Sequence, residues 1–191
     1  ENLMFYLGNN LTYTIATGTV ITVVDTFTMS GAGGLNINGG EIHVKGDIVY
    51  TNFSNGQGTT NIILNGDSDQ TIYGRGTVGI GGIPRIIIDK LFGKVNVENS
   101  ATFSQGIVLT KGTLEFNSPG DTFTFFSGTT ITTAENTFLR FVGEDGSHTS
   151  LTSSGTWNIA DSGKVYAKDV TVTNSVNSTG TIYALSSTDG G

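Results

Sequence analysis

Residues 93–116, GKVNVENSATFSQGIVLTKGTLEF, place the tightest limit on what this chain can fold into. Val95 and Val97 alternate with polar residues until Asn99-Ser100 interrupts. Ala101 and Phe103 alternate again up to Gly106, Ile107 and Leu109 follow up to Lys111-Gly112, and Leu114 and Phe116 close the run. A period of two buries one face of each strand and wets the other. Strands this short, broken by turns this often, leave no room for a helix and describe a chain that bends every few residues while its apolar side chains keep pointing inward. The economical geometry is a coil wound around a narrow apolar core, one strand per side, stacked on its neighbours.

The same grammar runs through the rest of the chain. Ile42/Val44, Ile48/Tyr50, Ile62/Leu64, Phe123/Phe125, Trp157/Ile159 and Ile182 read as inward residues of strands, and nowhere does a 3.6-residue apolar period persist. Residues 30–34 and 52–60 read as loops and residues 75–82 as a Gly-rich outward bulge, whereas Ile86-Ile87-Ile88 reads as a strand covered on both sides. Taking Leu35, Ile62, Ile86, Ile107, Ile131, Trp157 and Ile182 as equivalent points gives spacings of about 20 to 27 residues, within the range of solenoid coils. The expected fold is therefore all-β: one elongated right-handed parallel β-helix (β-solenoid) of about seven coils over residues 1–191. Residues 1–34 are its expected N-terminal cap or assembly-strand region. A β-sandwich or jelly roll is the alternative, because strands spaced by roughly 8 to 12 residues with Gly-rich turns look much the same. Each coil buries two or three large apolar side chains at roughly 1.5–3 kcal/mol apiece, too little to offset its own ordering entropy, so coils must stack.

Composition narrows the function classes. Charged residues make up only 13% of the chain, so hydroxyls and amides dominate its surface, as in many secreted β-proteins. A formal net charge of −7, with nine Lys and Arg scattered singly, argues against a phosphate-tracking stripe and so against nucleic acid, and equally against an anionic membrane surface. The chain has no cysteine, which leaves stability to stacking alone, and no apolar run long enough for a transmembrane helix. The opening residues, ENLMFYL, lack the basic segment of a signal peptide and read as the start of a processed or excised piece.

Three segments carry a resemblance: NIILNGDSDQTIYG at 61–74, RIIIDK at 85–90, and the 93–116 run ending in Gly-Thr-Leu-x-Phe. Together with the tail from Lys168 to the terminal Thr-Asp-Gly-Gly, they resemble the β-helical repeats of large bacterial secreted surface and adhesin-like proteins. That resemblance implies a right-handed parallel β-helix serving as a stalk, spacer or adhesive surface.

Chemistry-bearing residues are few. Asn65, Asp67 and Asp69 occupy alternate positions of one turn, where their oxygens are a candidate for Ca²⁺; the commoner role of such residues is to cap backbone amides. Asp67, Asp69 and Asp89, with Arg75 or Arg85, are the candidates for the paired carboxylates of a polysaccharide lyase or glycoside hydrolase. His43 and His148 have no second ligand at metal spacing and read as exposed. Trp157, Tyr50, Tyr73 and Tyr166 are candidates for stacking on sugar rings, with Trp157 favouring the core because Ile159 shares its face. No cofactor is expected apart from the calcium candidate. The function expected is that of a non-enzymatic extracellular structural or adhesive module, self-associating into a stalk or filament through the apolar strand bearing Leu3, Phe5 and Leu7. A surface glycan is the other candidate partner, and a carbohydrate-binding or polysaccharide-cleaving β-helix is the alternative function.

Overall fold

A computed structural model describes residues 1–7, 11–31, 34–51, 55–74 and 82–190. Among them there is no helix, and the strands follow one another around a triangle. The first turn is β1 (Leu3–Leu7), β2 (Leu11–Thr14) and β3 (Val20–Val23); the second is β4 (Phe27–Gly31), β5 (Gly34–Asn38) and β6 (Glu41–Val44). The third is β7 (Ile48–Tyr50), β8 (Asn55–Gln57) and β9 (Asn61–Leu64). The fourth opens with β10 (Gln70–Tyr73) and reaches its third face in the first half of β11 (Ile86–Glu98); on its second face Ile83 forms a single parallel bridge to Phe103. β11 then rounds a corner into the fifth turn, continued by β12 (Ala101–Phe103) and the first half of β13 (Ile107–Asn117). β13 rounds the same corner into the sixth, with β14 (Thr122–Phe125) and β15 (Thr130–Thr133). The seventh is β16 (Phe138–Val142), β17 (Thr149–Thr152) and β18 (Trp157–Asp161), and the eighth is β19 (Lys164–Lys168), β20 (Val170–Val172) and β21 (Ser175–Thr179). β22 (Ile182–Leu185) and β23 (Thr188–Asp189) begin another.

Every pairing between these strands is parallel, which makes the molecule a parallel β-solenoid and removes the sandwich. Seven turns carry a strand on all three faces. At about 4.8 Å per stacked strand, the rod from β1 to β22 is about 38 Å long. The core is a set of vertical columns. Ile21, Ile42, Ile62, Ile86, Ile107, Ile131 and Ile159 stand one above another, each in register with the next. A β-branched side chain repeated at one position nests on its copy in the coil below, and all but Ile21 are almost fully buried. Four of the seven equivalent points read from the sequence belong to this column. Leu35 is instead in register with Leu11 on the second face, and Ile182 with Val165 on the first. Trp157 lies two residues before the column's Ile159.

Three local readings change. Residues 30, 31 and 34, read as loop, are strand, in β4 and β5. Ile87 is not covered on both sides: it faces outward between the inward Ile86 and Ile88 and is half-buried. Asn55–Gln57, read as loop, is a strand stacked on β5, held by its backbone despite having no apolar residue. The bulge expected at residues 75–82 falls almost wholly outside the described residues.

From the fifth to the seventh turn the core changes from aliphatic to aromatic. Phe103 stacks on Phe125 at 5.6 Å, Phe125 on Trp157 at 4.3 Å, and Phe116 touches Phe123 at 5.0 Å and Phe141 at 5.1 Å. Coils also approach closely at the corners. A Cβ on Gly66 would stand 2.0 Å from the Lys45 carbonyl oxygen of the preceding turn, so only glycine lets the two backbones stack there. Gly66→Ala should accordingly cost about 2 kcal/mol or more in thermal unfolding, and an unchanged Tm would show that the corner can spread.

Candidate functional site

The turn singled out for calcium is the corner between β9 and β10, and it is built around an ammonium ion. Lys90, from the next turn, is 2% exposed and its Nζ donates to the carbonyls of Gly66 at 2.6 Å and Ser68 at 2.7 Å and to Gln70 Oε1 at 3.0 Å. Gln70, fully buried, continues the network downward: its Oε1 accepts from the Gly66 amide, and its Nε2 donates to Val44 O at 3.0 Å and to Gly46 O. A Lys and a Gln from successive coils thus bind the corner carbonyls of Gly66, Ser68 and Gly46, and Gln70 adds a second donor to Val44 O, which also accepts the Asn65 amide. Burial pushes the Lys90 pKa below its ordinary value, while the carboxylates of Asp69 and Asp67 push it back up.

The three calcium candidates have separate occupations. Asp69 Oδ1 accepts the backbone amide of Lys94 in the next turn at 2.9 Å, as Asp47 Oδ1 accepts that of Thr71 at 2.7 Å, so both act as caps between coils. Asn65 donates its side-chain amide to His43 Nδ1 at 3.1 Å, and His43 Nε2 meets Glu41 Oε2 at 3.0 Å. Asp67 is exposed. Among the described residues no cluster of three or more His, Cys, Asp or Glu is placed to hold a metal ion.

The carboxylate pair considered for glycan cleavage is partly brought together. Asp67 and Asp89 line one open groove of about 230 Å³ with Lys45, Asn65, Leu91 and Lys111, and Asp89 is paired with Lys111 at 3.0 Å. Arg85 is exposed beside Ile86, and Arg75 lies outside the described residues. Of the aromatic candidates, Tyr50 and Trp157 are core residues, Trp157 donating its indole N–H to Thr173 O at 2.9 Å. Tyr73 is half-buried on the outer side of β10.

Of the assembly residues, Leu3 and Phe5 turn inward and pack against the core, Phe5 meeting Tyr13 at 4.6 Å and Phe27 at 5.6 Å. Leu7 closes the strand in register with Gly31. β1 pairs with β4 on one side, and its other edge has no partner among the described residues. At the opposite end of the rod, a cavity of about 200 Å³ opens among Trp157, Ile159, Val172, Ile182 and Ala184, the last apolar layer of the core.

Tyr166, the remaining aromatic candidate, belongs to a second surface whose other rings the sequence did not single out. On the outer side of β16, β19 and β22, Phe138, Tyr166 and Tyr183 are exposed together, and Tyr166 stacks on Tyr183 at 5.3 Å. The alternation in Lys164-Val-Tyr-Ala-Lys168 carries the signal, since it puts Tyr166 on the wet face, but only the register shows that Tyr183 continues it.

The fold defines a parallel β-solenoid with open strand edges. Comparison with protein-family models, with curated proteins and with solved structures found no match.

Proposed function

We propose that this chain is a non-enzymatic structural module of an extracellular surface, a rigid rod that lengthens into a stalk or filament when a second copy stacks on its end. The supporting observation is that an apolar core section and unpaired strand edges coincide at both ends of the described rod. Leu3 and Phe5 offer the inward positions of one end layer, and the cavity beside Trp157 and Ile182 belongs to the other. A parallel strand added to β1 would extend both the ladder and the core columns. The hydroxyl- and amide-rich surface, with 13% charged residues, suits an extracellular setting.

Met4 is the place to test this. The Leu3 amide donates to Thr26 O just before β4, so Leu3 and Phe5 face the existing ladder while Met4, 55% exposed, presents its amide to the open edge. Met4→Pro removes that donor without touching an internal bond. In electron micrographs and light scattering the parent chain should form end-to-end oligomers, and the variant should stay monomeric at about tenfold higher concentration with an unchanged circular dichroism spectrum. A parent chain that remains monomeric, or a variant that assembles to parental lengths, would falsify the proposal.

A further inference from the structure

The outer face of the seventh and eighth turns carries an arrangement that a passive rod does not require. Its outward residues form a grid. Phe138 is in register with Lys164, Arg140 with Tyr166 and then Tyr183, and Val142 with Lys168. Tyr166 is flanked along its own strand by Lys164 and Lys168, and the ammonium of Lys164 sits over the Phe138 ring at 5.7 Å from its centroid. Lys164 and Lys168 are four residues apart on one side of a strand, about 13 Å. The three rings, Arg140 and Lys168 border an open groove of about 500 Å³.

Two features of charge stand out. The chain carries a formal −7 with nine Lys and Arg, yet three of those cations surround these rings. Two of the nearby carboxylates are matched, Glu115, 5% exposed, by both Lys94 at 2.7 Å and Arg140 at 3.1 Å, and Asp169, 7% exposed, by Lys168 at 3.6 Å, while Glu135 is exposed in an adjoining pocket beside Phe138 and Lys164. Arg140, Lys164 and Lys168 nonetheless gather three of the chain's nine Lys and Arg on one face of a protein that is otherwise negative, which favours an anionic ligand.

We infer that this face binds an acidic polysaccharide of the polyuronate class. A pyranose ring presents an apolar face that packs on the exposed rings, and its carboxylate lies at the rim, where Lys164, Lys168 and Arg140 stand. The alternation of ring and cation matches a polymer whose every unit has both an apolar face and one charge. Nucleic acid fits less well, because three cations on a chain of net −7 offset few phosphates. The site is lateral and does not depend on end-to-end stacking.

Calorimetric titration of the whole chain with polygalacturonate, a neutral glucan of similar length and an oligo-dT tests the assignment. Binding is expected for polygalacturonate alone, weakening as salt rises. Tyr166→Ala with Tyr183→Ala should weaken it about tenfold, the factor corresponding to about 1.4 kcal/mol. Lys164→Gln with Lys168→Gln should weaken it about as much and flatten the salt dependence. Lys111→Gln, two turns away along the rod and paired with Asp89, should leave affinity unchanged, and Met4→Pro should bind as the parent does, which separates this site from the assembly proposal. No binding of polygalacturonate, equal binding of the neutral glucan, tighter binding of oligo-dT, or equal losses from Lys111→Gln and the Lys164/Lys168 pair would overturn it.

Discussion

Phe116→Ala should lower the stability of the rod by about 3–5 kcal/mol, read from the urea midpoint. Phe116 is fully buried in the sixth turn and touches aromatic rings in its own and both adjacent turns: Phe103 at 5.8 Å, Phe123 at 5.0 Å and Phe141 at 5.1 Å. Along its face it stands in register between Val97 below and Phe141 above. Removing the ring leaves a cavity bounded by strands whose ladders hold them at fixed spacing, so the site has little means to collapse. In a solenoid each turn is stabilised by its nearest neighbours, and weakening a central turn divides the rod. The variant should therefore unfold in two steps where the parent unfolds in one. A loss below about 1 kcal/mol with a single transition would mean that the aromatic layers repack without Phe116.

Lys90→Met should cost about 2–4 kcal/mol, because a side chain of similar length that cannot donate leaves the Gly66 and Ser68 carbonyls without the ammonium they surround. The loss should vary with pH in a defined sense. Burial holds the folded Lys90 pKa below the ordinary 10.5, so between the lowered value and 10.5 the unfolded chain binds more protons than the folded one. Stability contributed at Lys90 must then rise with pH across that window and be flat below it. The stability of the parent minus that of Lys90→Met, measured by denaturant titration at a series of alkaline pH values, should increase with pH. A difference that shrinks as pH rises would show that the charged form is favoured in the folded corner.

The architecture was legible because its cause is local. Alternation at Val95/Val97, Ile107/Leu109 and Leu114/Phe116, with Asn, Gly or Lys-Gly at each interruption, fixes which side chains turn inward, and stacking follows because one coil cannot bury enough. Ile62, Ile86, Ile107 and Ile131 were recognisable as equivalents since each opens a strand after a turn. Leu35 and Ile182 look the same locally and belong to other faces, because the three faces of a coil share one grammar. Lys90 was invisible as a structural residue for a related reason. Its neighbours Asp89 and Leu91 suggest a wet turn, whereas its partners Gly66, Ser68 and Gln70 lie 20 to 24 residues away along the chain.

By itself, the sequence determined an all-β chain of short strands with inward residues at alternate positions, since side-chain direction in an extended backbone depends only on parity. It also determined that such strands must stack. The tertiary structure alone decided the register between turns, and with it the isoleucine column, the ammonium in the Gly66 corner, and the meeting of Tyr166 with Tyr183. Register depends on the length and path of every intervening corner, and these vary from turn to turn, so residues that touch across the ladder carry no fixed spacing along the chain.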